Sequence, residues 1–381
     1  AQEDTIGISN TEIKLCAHAA LTYGAAFQTT EEDFDVFWDA LNDAGGIYGR
    51  KVVPVWKNDD YKPDVAVRAA TACKDENAFL LLSGLGFDQI PAVRNWAERE
   101  RMLYIHSTAT VKGTAGQRYS FAPLPSVERT GEAFAQLYLS KYRGKRIGII
   151  KRASENWEPG VEAFKASLGN AGKIVAEKAV VQNKGNYSDE VAAMKNAKAE
   201  VIWIWENALM AIPIVQQIRR QEYNPNMMLF SFNLTSQTLQ EDAFNPTLDG
   251  VAMFTAYSQG DYAGPFSSYA DDIRQFEAQY AKYRPAARLD GYAGDLLFAN
   301  WSGQKALYQQ LLACGRDCTR NRFVSVLENF RQRPTSSYCP LDYTVGNRRQ
   351  GSDKVVFMET YRAPGVAKVN WRNTQMCVGR G

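Results

Sequence analysis

The sequence is poor in histidine, with His18 and His106 as its only two among 381 residues. Because histidine is the usual base of a nucleophilic triad, this shortage limits the triads that the chain can build. A Gly-x-Ser-x-Gly elbow is also missing, as is the Gly-Lys-Ser or Gly-Lys-Thr of a phosphate-binding loop. The common signatures of hydrolases and of P-loop nucleotide enzymes are therefore absent.

Long apolar runs and an excess of one charge are lacking too. No stretch approaches the roughly 18 uninterrupted apolar residues of a membrane-spanning helix. The formal net charge is +2, and lysine and arginine form no basic stripe. We therefore expect neither a membrane span nor a nucleic-acid partner.

Cysteine is present in an even number, six, which agrees with three disulfides in an oxidising compartment. Six cysteines allow several connectivities, and we expect Cys16 with Cys73, Cys314 with Cys318, and Cys339 with Cys377. A zinc site is less favoured, because the one close pair lacks a second close pair and both histidines lie far off in sequence. The chain begins with Ala1, and signal peptidases leave small residues at the cut, so we expect an exported chain.

Short apolar runs alternate with amphipathic stretches, which is typical of a parallel sheet covered by helices on both faces. We predict strands at 5–15, 52–57, 78–82, 103–106, 146–150, 174–181, 201–205, 228–232, 250–257, 341–345 and 354–361. We predict helices at 31–44, 63–75, 90–101, 126–142, 159–169, 188–197, 209–221, 267–284 and 291–314. The pattern indicates an α/β fold with two consecutive sets of βα units.

Prolines mark the boundary between the two sets. Pro123 and Pro125 cannot continue a helix and stiffen an extended crossing between lobes. Two helices follow the second set, which suggests that the chain returns to complete the first lobe. We therefore expect one lobe of 1–122 plus 256–337 and another of 123–255 plus 338–381.

Three polar motifs each allow a functional and a structural interpretation. The turn Ser83-Gly84-Leu85-Gly86 could cradle a phosphate or open a cofactor site, but Gln89 stands where a dinucleotide fingerprint needs its third glycine, so we expect no cofactor. His106 is a candidate base, although a single histidine at a strand end is more often simply a polar residue there. Asp59-Asp60 could hold a cation, but such pairs more often cap loops, and we expect no metal.

Aromatic residues concentrate at predicted strand ends. Ligands of open α/β sheets lie outside the carboxyl ends of the strands, so these aromatics are candidates to line a cleft, with packing in the core as the alternative. The candidates are Phe87, Trp157, Trp205, Phe232 and Tyr257, the last of which ends a further predicted strand. Trp157 is the strongest, because it lies in the polar loop 153–160, where burial in the core is less natural.

One stretch of the chain resembles a known family. It reads Leu41-Asn42-Asp43-Ala44-Gly45-Gly46-Ile47-Tyr48-Gly49-Arg50-Lys51-Val52, followed by Asn58-Asp59-Asp60, Pro63 and Ala66. This is similar to the first helix, the Gly-Gly turn and the second strand and helix of type I periplasmic solute-binding proteins of ABC transporters, in the leucine/isoleucine/valine-binding branch. The likeness continues through 21–24, 83–92, 105–110 and 172–182, and in the second half spacing rather than identity extends it over nearly the whole chain.

The resemblance implies a two-lobed periplasmic binding protein fold, in which each lobe is a mostly parallel sheet flanked by helices and three hinge crossings join the lobes. It implies a binding protein rather than an enzyme, which closes over a small molecule in the interlobe cleft and delivers it to a membrane permease. A periplasmic location after removal of a signal peptide and a monomeric state are expected with it. Asp59-Asp60 becomes a structural pair in this context.

Ligand contacts carry over from the family only where positions match. In the first lobe, the family's carboxylate-binding serine looks like Asp88 and its threonine like Thr110. Thr108, Tyr23 and His106 lie in the same matching stretches. In the second lobe, the family's aromatic residues look like Trp157 and Trp205, and its ammonium-binding acid looks like Asn233, with the acid Glu206 nearby.

These departures from the family pattern bear on the ligand. An ionised Asp88 would repel a carboxylate to which a serine would donate, and Asn233 cannot neutralise an ammonium. We therefore hypothesise a largely apolar or aromatic ligand with a hydroxyl, carboxylate or amide group. The alternatives are a branched-chain or other amino acid, a cation caged by aromatics with Asp88 or Glu206 as counter-charge, and an α/β cleft enzyme that uses His106 or Asp88.

Overall fold

The structure is a computed structural model that describes residues 5–22, 30–84, 86–181, 184–206, 208–230, 251–255, 269–289, 291–332, 339–344, 349–362, 364–365 and 369–380. The chain folds into two compact units. The first comprises Ala1–Ser126, Ala263–Leu289 and Ala293–Asp353, and the second comprises Val127–Tyr262, Asp290–Tyr292 and Lys354–Gly381.

The described strands are β1 (Glu12–Ala19), β2 (Lys51–Asn58), β3 (Leu80–Ser83), β4 (Tyr104–Ile105), β5 (Ser120–Phe121), β6 (Arg146–Arg152), β7 (Lys173–Val180), β8 (Val201–Trp205), β9 (Asn226–Phe230), β10 (Val251–Thr255), β11 (Arg331–Gln332), β12 (Leu341–Asp342), β13 (Val355–Arg362) and β14 (Val369–Val378). The described helices are α1 (Val36–Asp43), α2 (Pro63–Asp75), α3 (Ile90–Glu100), α4 (Val111–Thr114), α5 (Val127–Lys141), α6 (Glu158–Leu168), α7 (Ser188–Asn196), α8 (Ala208–Arg220), α9 (Tyr269–Tyr283), α10 (Gly291–Cys314) and α11 (Arg320–Asn329). Short 3-10 helices lie at Glu31–Phe34 and Gly169–Ala171.

The first unit is built on a five-stranded parallel sheet in the order β2-β1-β3-β4-β5. Alternate residues of each strand face opposite sides. On one side Cys16 and Tyr104 pack with residues of α2 and α3. On the other side Leu15 and Leu103 pack with residues of α1, α9, α10 and α11. The sheet is thus covered on both faces, as the sequence pattern predicts.

The second unit is built on a seven-stranded sheet in the order β14-β13-β10-β9-β8-β6-β7. The five strands from β10 to β7 are parallel, and β13 and β14 join antiparallel at one edge. The central strand β8 is buried at every residue, which suits its β-branched and aromatic sequence. The α/β class predicted from the sequence is confirmed.

One segment lies in a different unit from the lobe expected for it. The described residues 339–344 and 349–353 belong to the first unit, whereas the sequence-based division placed them in the second lobe. The antiparallel pairing of β12 with β11 ties this segment to the first unit, as do the hydrogen bonds between Gly351 and the Ala122 carbonyl and between Arg349 and Glu328.

Two disulfides join the predicted partners, Cys16 with Cys73 and Cys314 with Cys318. Cys339 and Cys377 are disulfide-bonded as well, and the pairing that we expect for them stays a prediction. Among the helices that the structure describes, none combines the length and the apolar character needed to cross a bilayer.

Candidate functional site

The first unit places polar residues at the carboxyl ends of its parallel strands, where open α/β sheets bind ligands. His18 of β1 pairs in register with Ser83 at the end of β3. Leu82 of β3 pairs with Ile105 of β4, so Ser83 and His106 are the next neighbours along that register. The three polar residues therefore share one face at this edge of the sheet.

The turn between β3 and α3 depends on a glycine. Gly86 has a φ of +122°, and a Cβ there would lie 2.0 Å from the side-chain nitrogen of Gln89. Phe87 is half-buried and packs against the apolar cluster that involves α2 and α3, and Asp88 beside it is half-buried too. A ligand-binding role for both stays a prediction.

The two threonines of the next loop already have partners within the protein. Thr110 caps the N-terminus of α4, where its hydroxyl accepts a hydrogen bond from the Gly113 amide at 2.9 Å. The hydroxyl hydrogen of Thr110 remains able to donate. The Thr108 hydroxyl donates to the Pro125 carbonyl at 2.5 Å. Of these two hydroxyls, Thr110 is therefore the better donor for a ligand.

His106 is buried, with 1% of its surface exposed. Its Nδ1 lies 3.1 Å from the Thr108 carbonyl, and because a carbonyl only accepts, Nδ1 carries the hydrogen. Burial, helped by the positive charge of Arg94, lowers the pKa of His106 to about 3. The ring is neutral near pH 7 and is poorly suited to act as the catalytic base of the enzyme alternative.

His18 and Asp59 form a buried pair that sequence reasoning missed. The Nδ1–H of His18 donates to Asp59 Oδ2 at 2.8 Å, and neither residue is more than 1% exposed. The two residues are 41 positions apart. The parallel register of Ala19 with Asn58 brings them together. No local signal for this pair is present in the sequence, because the predicted first strand, 5–15, stops before His18 and only the observed register of β1 with β2 aligns the two residues.

The second unit brings Trp157 and Trp205 together. Trp157 directly precedes α6, and Trp205 ends β8. Their rings meet edge to face with centroids 4.9 Å apart, and the Trp205 indole N–H donates to the Trp157 carbonyl at 2.9 Å. Trp157 is 6% exposed, contrary to the expectation from its polar loop, because the loop folds directly into α6 and the ring packs on Trp205.

A buried ion pair lies beside these rings. Arg152, which ends β6, has its guanidinium carbon 5.6 Å from the centroid of the Trp157 ring. The same guanidinium lies 3.8 Å from Glu206 Oε2, and the side chains are 3% and 0% exposed. The charge of Glu206 is therefore countered within the protein, which weakens its assignment as the counter-charge of a cationic ligand.

Four predicted ligand residues lie outside the described part of the chain. They are Tyr23, Phe232, Asn233 and Tyr257. In the ranges that the structure does describe, no three His, Cys, Asp or Glu side chains come together in a way that could hold a metal ion.

Comparison with known families gives one match. A family model described as "Periplasmic binding protein" matches residues 22–361. No curated protein matches the sequence.

Solved structures share the fold at low sequence identity. A fatty acid ABC transporter substrate-binding protein from Thermomonospora curvata matches with a TM-score of 0.78 and 18% identity over 98% of this chain and 94% of that one. A solute binding protein from Rhodopseudomonas palustris in complex with 3,4-dihydroxy benzoic acid matches with a TM-score of 0.79 and 14% identity over 97% of this chain and 98% of that one. A branched-chain amino acid transporter substrate binding protein from Streptococcus pneumoniae in complex with isoleucine matches with a TM-score of 0.74 and 16% identity over 95% of this chain and 100% of that one. At these identities the likeness shows the fold alone.

Proposed function

We propose that the chain captures a small aromatic or largely apolar molecule that carries a polar group. The chain belongs to the periplasmic binding protein family and is a substrate-binding component of an ABC transporter. Proteins of this family are exported to the periplasm. Delivery of the ligand to a membrane permease follows from the same membership. Closure about a hinge and a monomeric state stay predictions.

The main support for this ligand class is the contact between Trp157 and Trp205 in the second unit. Trp157 stands at the start of α6, immediately beyond the carboxyl end of a parallel strand, which is where such sheets bind ligands. Its ring is held from one side by Trp205 and lies near the Arg152 guanidinium. Trp157 is 6% exposed, so a ligand would meet the edge of an aromatic pair here, which favours an aromatic or aliphatic ligand body.

A polar group on the ligand has a candidate partner in the first unit. The Thr110 hydroxyl retains a hydrogen to donate, and the half-buried Asp88 offers an acceptor. The structural relatives named above include one that is called a fatty acid protein, one in complex with a dihydroxy benzoic acid and one in complex with isoleucine, and all three compounds combine an apolar body with a carboxylate. This common chemistry supports a carboxylate that accepts from Thr110, or a hydroxyl that donates to Asp88, as the polar group.

Identification of the bound molecule tests the proposal. Native mass spectrometry of freshly purified protein, followed by denaturing release, would give the mass of any small molecule that co-purifies. A thermal-shift panel of 3,4-dihydroxybenzoate, benzoate, octanoate, isoleucine, leucine, alcohols and amines would rank the classes. We expect the aromatic or fatty acids to stabilise most, and stabilisation mainly by leucine and isoleucine would instead establish the amino-acid alternative.

A variant of Trp157 tests its role in the same panel. Trp157→Phe keeps an aromatic ring in the same place but removes the larger indole, so the stabilisation by the best compound should fall. Trp203→Phe, on the same strand as Trp205 and buried under helices, is the matched control and should leave that stabilisation unchanged. Unchanged stabilisation in Trp157→Phe, together with release of a chemically altered ligand, would favour the enzyme alternative.

A further inference from the structure

A buried set of hydrogen bonds joins strand β1 of the first unit to strand β4 and to the loop after β2. His18 Nδ1 donates to Asp59 Oδ2 at 2.8 Å, and His18 Nε2 lies 2.7 Å from the Tyr104 hydroxyl. None of these three residues is more than 1% exposed. Since the strand order is β2-β1-β3-β4, the bond from His18 to Tyr104 spans across β3.

The carboxylate of Asp59 also receives two further donors. The Tyr61 amide donates to Oδ1 at 2.9 Å, and the Gln89 side-chain nitrogen lies 3.0 Å from Oδ1 and 3.2 Å from Oδ2. Gln89 is 1% exposed and immediately precedes α3, at the end of the turn that contains Phe87 and Asp88. The Asp59 side chain therefore contacts β1, the loop after β2, and the turn after β3.

The loop after β2 has an unusual backbone. Asp60 and Tyr61 have φ of +51° and +59°, a left-handed conformation that is uncommon for residues other than glycine. Hydrogen bonds hold it in place. The Asn58 side chain accepts from the Leu21 amide at 3.0 Å and donates to Asp60 Oδ1 at 2.7 Å. The strained segment is thus the point at which the loops after β1 and β2 are tied together.

We propose that Asp59 is a positioning residue, which fixes the Phe87-Asp88 turn through Gln89 and aligns it with the loop after β1. This inference rests on the proposed function, because it takes that turn to be part of the ligand site. Neither Asp59 nor Gln89 needs to touch the ligand. Their effect on binding is to hold the ligand-facing turn in one conformation.

The chemistry of the three contacts explains why a carboxylate stands here. His18, the Tyr61 amide and Gln89 all present N–H groups, and an ionised carboxylate is an acceptor at both oxygens. An asparagine would turn its own NH2 group toward one of these donors. The close fit at Gly86 adds to the constraint, because any side chain there would collide with the Gln89 amide. The turn conformation and the Gln89 position therefore depend on each other.

Hydrogen exchange of backbone amides tests the proposal without a ligand. The Ile90 amide donates to the Phe87 carbonyl at 3.1 Å and reports opening of the turn, whereas the Leu81 amide donates to the Leu103 carbonyl at 2.9 Å and reports opening of the sheet. In Gln89→Leu, which loses the donor but keeps a side chain of similar length, exchange at Ile90 should accelerate about tenfold or more while exchange at Leu81 stays as in the wild type. Asp59→Asn should accelerate exchange at Ile90 as well.

The control is Asp64→Asn, which removes an exposed carboxylate of α2 that pairs with Arg68 and should leave both amides unchanged. Exchange at Ile90 within about twofold of the wild type in Gln89→Leu would overturn the proposal. Equal acceleration at Ile90 and Leu81 would also overturn it, because it would show general loss of stability. Calorimetric titration of the wild type with 3,4-dihydroxybenzoate, octanoate and isoleucine tests the ligand class separately. A wild type that binds neither 3,4-dihydroxybenzoate nor octanoate would count against the proposed function and leave the exchange result to decide the role of Asp59.

Discussion

The indole N–H of Trp205 donates to the backbone carbonyl of Trp157, and the same carbonyl accepts from the Gly160 amide at 3.2 Å. The side chain at the end of β8 thereby fixes the first turn of α6. A Cβ at Gly160 would lie 2.8 Å from the Trp205 ring, so the helix approaches the strand as closely as this ring allows. Trp205 is therefore a support for Trp157 rather than an exposed wall, because it is only 2% exposed.

Trp205→Phe should destabilise the protein by about 1 to 3 kcal/mol, since it removes one buried hydrogen bond and part of a buried ring. Trp203→Phe is the matched comparison. It also replaces a buried indole of β8 by a smaller phenyl ring, but the Trp203 indole N–H has no hydrogen-bond partner among the described residues. Guanidinium unfolding should show the larger loss for Trp205→Phe. Equal losses would mean that the bond to Trp157 contributes little.

Gly131 of α5 is expected to tolerate no side chain. A Cβ there would lie 1.8 Å from the backbone carbonyl oxygen of Gly160, so α5 and α6 would have to move apart. Gly131→Ala should cost about 3 kcal/mol or more despite the better helix propensity of alanine. Gly148→Ala is the comparison, because its nearest obstruction is the sulfur of the flexible Met194 side chain. Thermal unfolding should show a clearly smaller loss for Gly148→Ala, and similar losses would contradict the packing argument.

The helices and central strands could be predicted where local signals are strong. Three elements coincide with their predicted ranges: α2 at 63–75, β8 at 201–205 and α10 at 291–314. A proline opens α2, β8 is one apolar run, and α10 has a long apolar pattern. The first strand was predicted at 5–15 but lies at Glu12–Ala19, since apolar residues before it form a turn and an isolated bridge between Ile8 and Ile13.

Five elements went unpredicted, α4, β5, β11, α11 and β14, and the last two show different reasons. Helix α11 had its signals in the sequence, with Thr319 as N-cap and buried residues Phe323 and Leu327 at helical spacing. Strand β14 has no such signal, because it exists through antiparallel pairing with β13 rather than through its own pattern. The candidate site shows the same division, since the aromatics at strand ends were visible in the sequence while the pair of His18 and Asp59 depends on register.

The two described disulfides should differ in their effect on stability. Cys16 and Cys73 are 57 positions apart and Cys314 and Cys318 are 4 apart, while all four are buried. Chain-entropy arguments give about 4 kcal/mol for the long loop and about 2 kcal/mol for the short one. Guanidinium unfolding of the two double alanine variants should follow that order. A larger loss for the short loop would show that native packing, and not loop closure, dominates.

His106 should stay neutral across the physiological range. Burial lowers its pKa to about 3, and its Nδ1–H faces the Thr108 carbonyl. Because the chain has only two histidines, nitrogen-15 histidine labelling gives a spectrum with two ring systems, and His106→Asn assigns them. We expect one ring in the Nδ1–H form without titration between roughly pH 5 and pH 8. Titration of both rings near the ordinary value would contradict the buried, neutral His106.

Asp35 should make the protein less stable as the pH rises. Burial raises its pKa from 3.8 to about 7, with the Trp56 indole N–H acting in the opposite direction. The folded state therefore holds a proton that the unfolded state has lost, so the stability from Asp35 is full below the ordinary pKa and disappears as the pH rises through about 7. The loss is on the order of a few kcal/mol.

The lowered pKa of His106 acts in the opposite direction, because its contribution to stability is present above its ordinary pKa of 6.5 and is lost as the pH falls toward about 3. The wild-type profile alone would therefore mix the two groups. Asp35→Asn keeps the shape of the side chain and removes its titration. Unfolding free energies of both proteins should be measured between roughly pH 4 and pH 8. The wild type should gain stability relative to Asp35→Asn as the pH falls, and a difference that is constant with pH would show that Asp35 titrates alike in the folded and unfolded states.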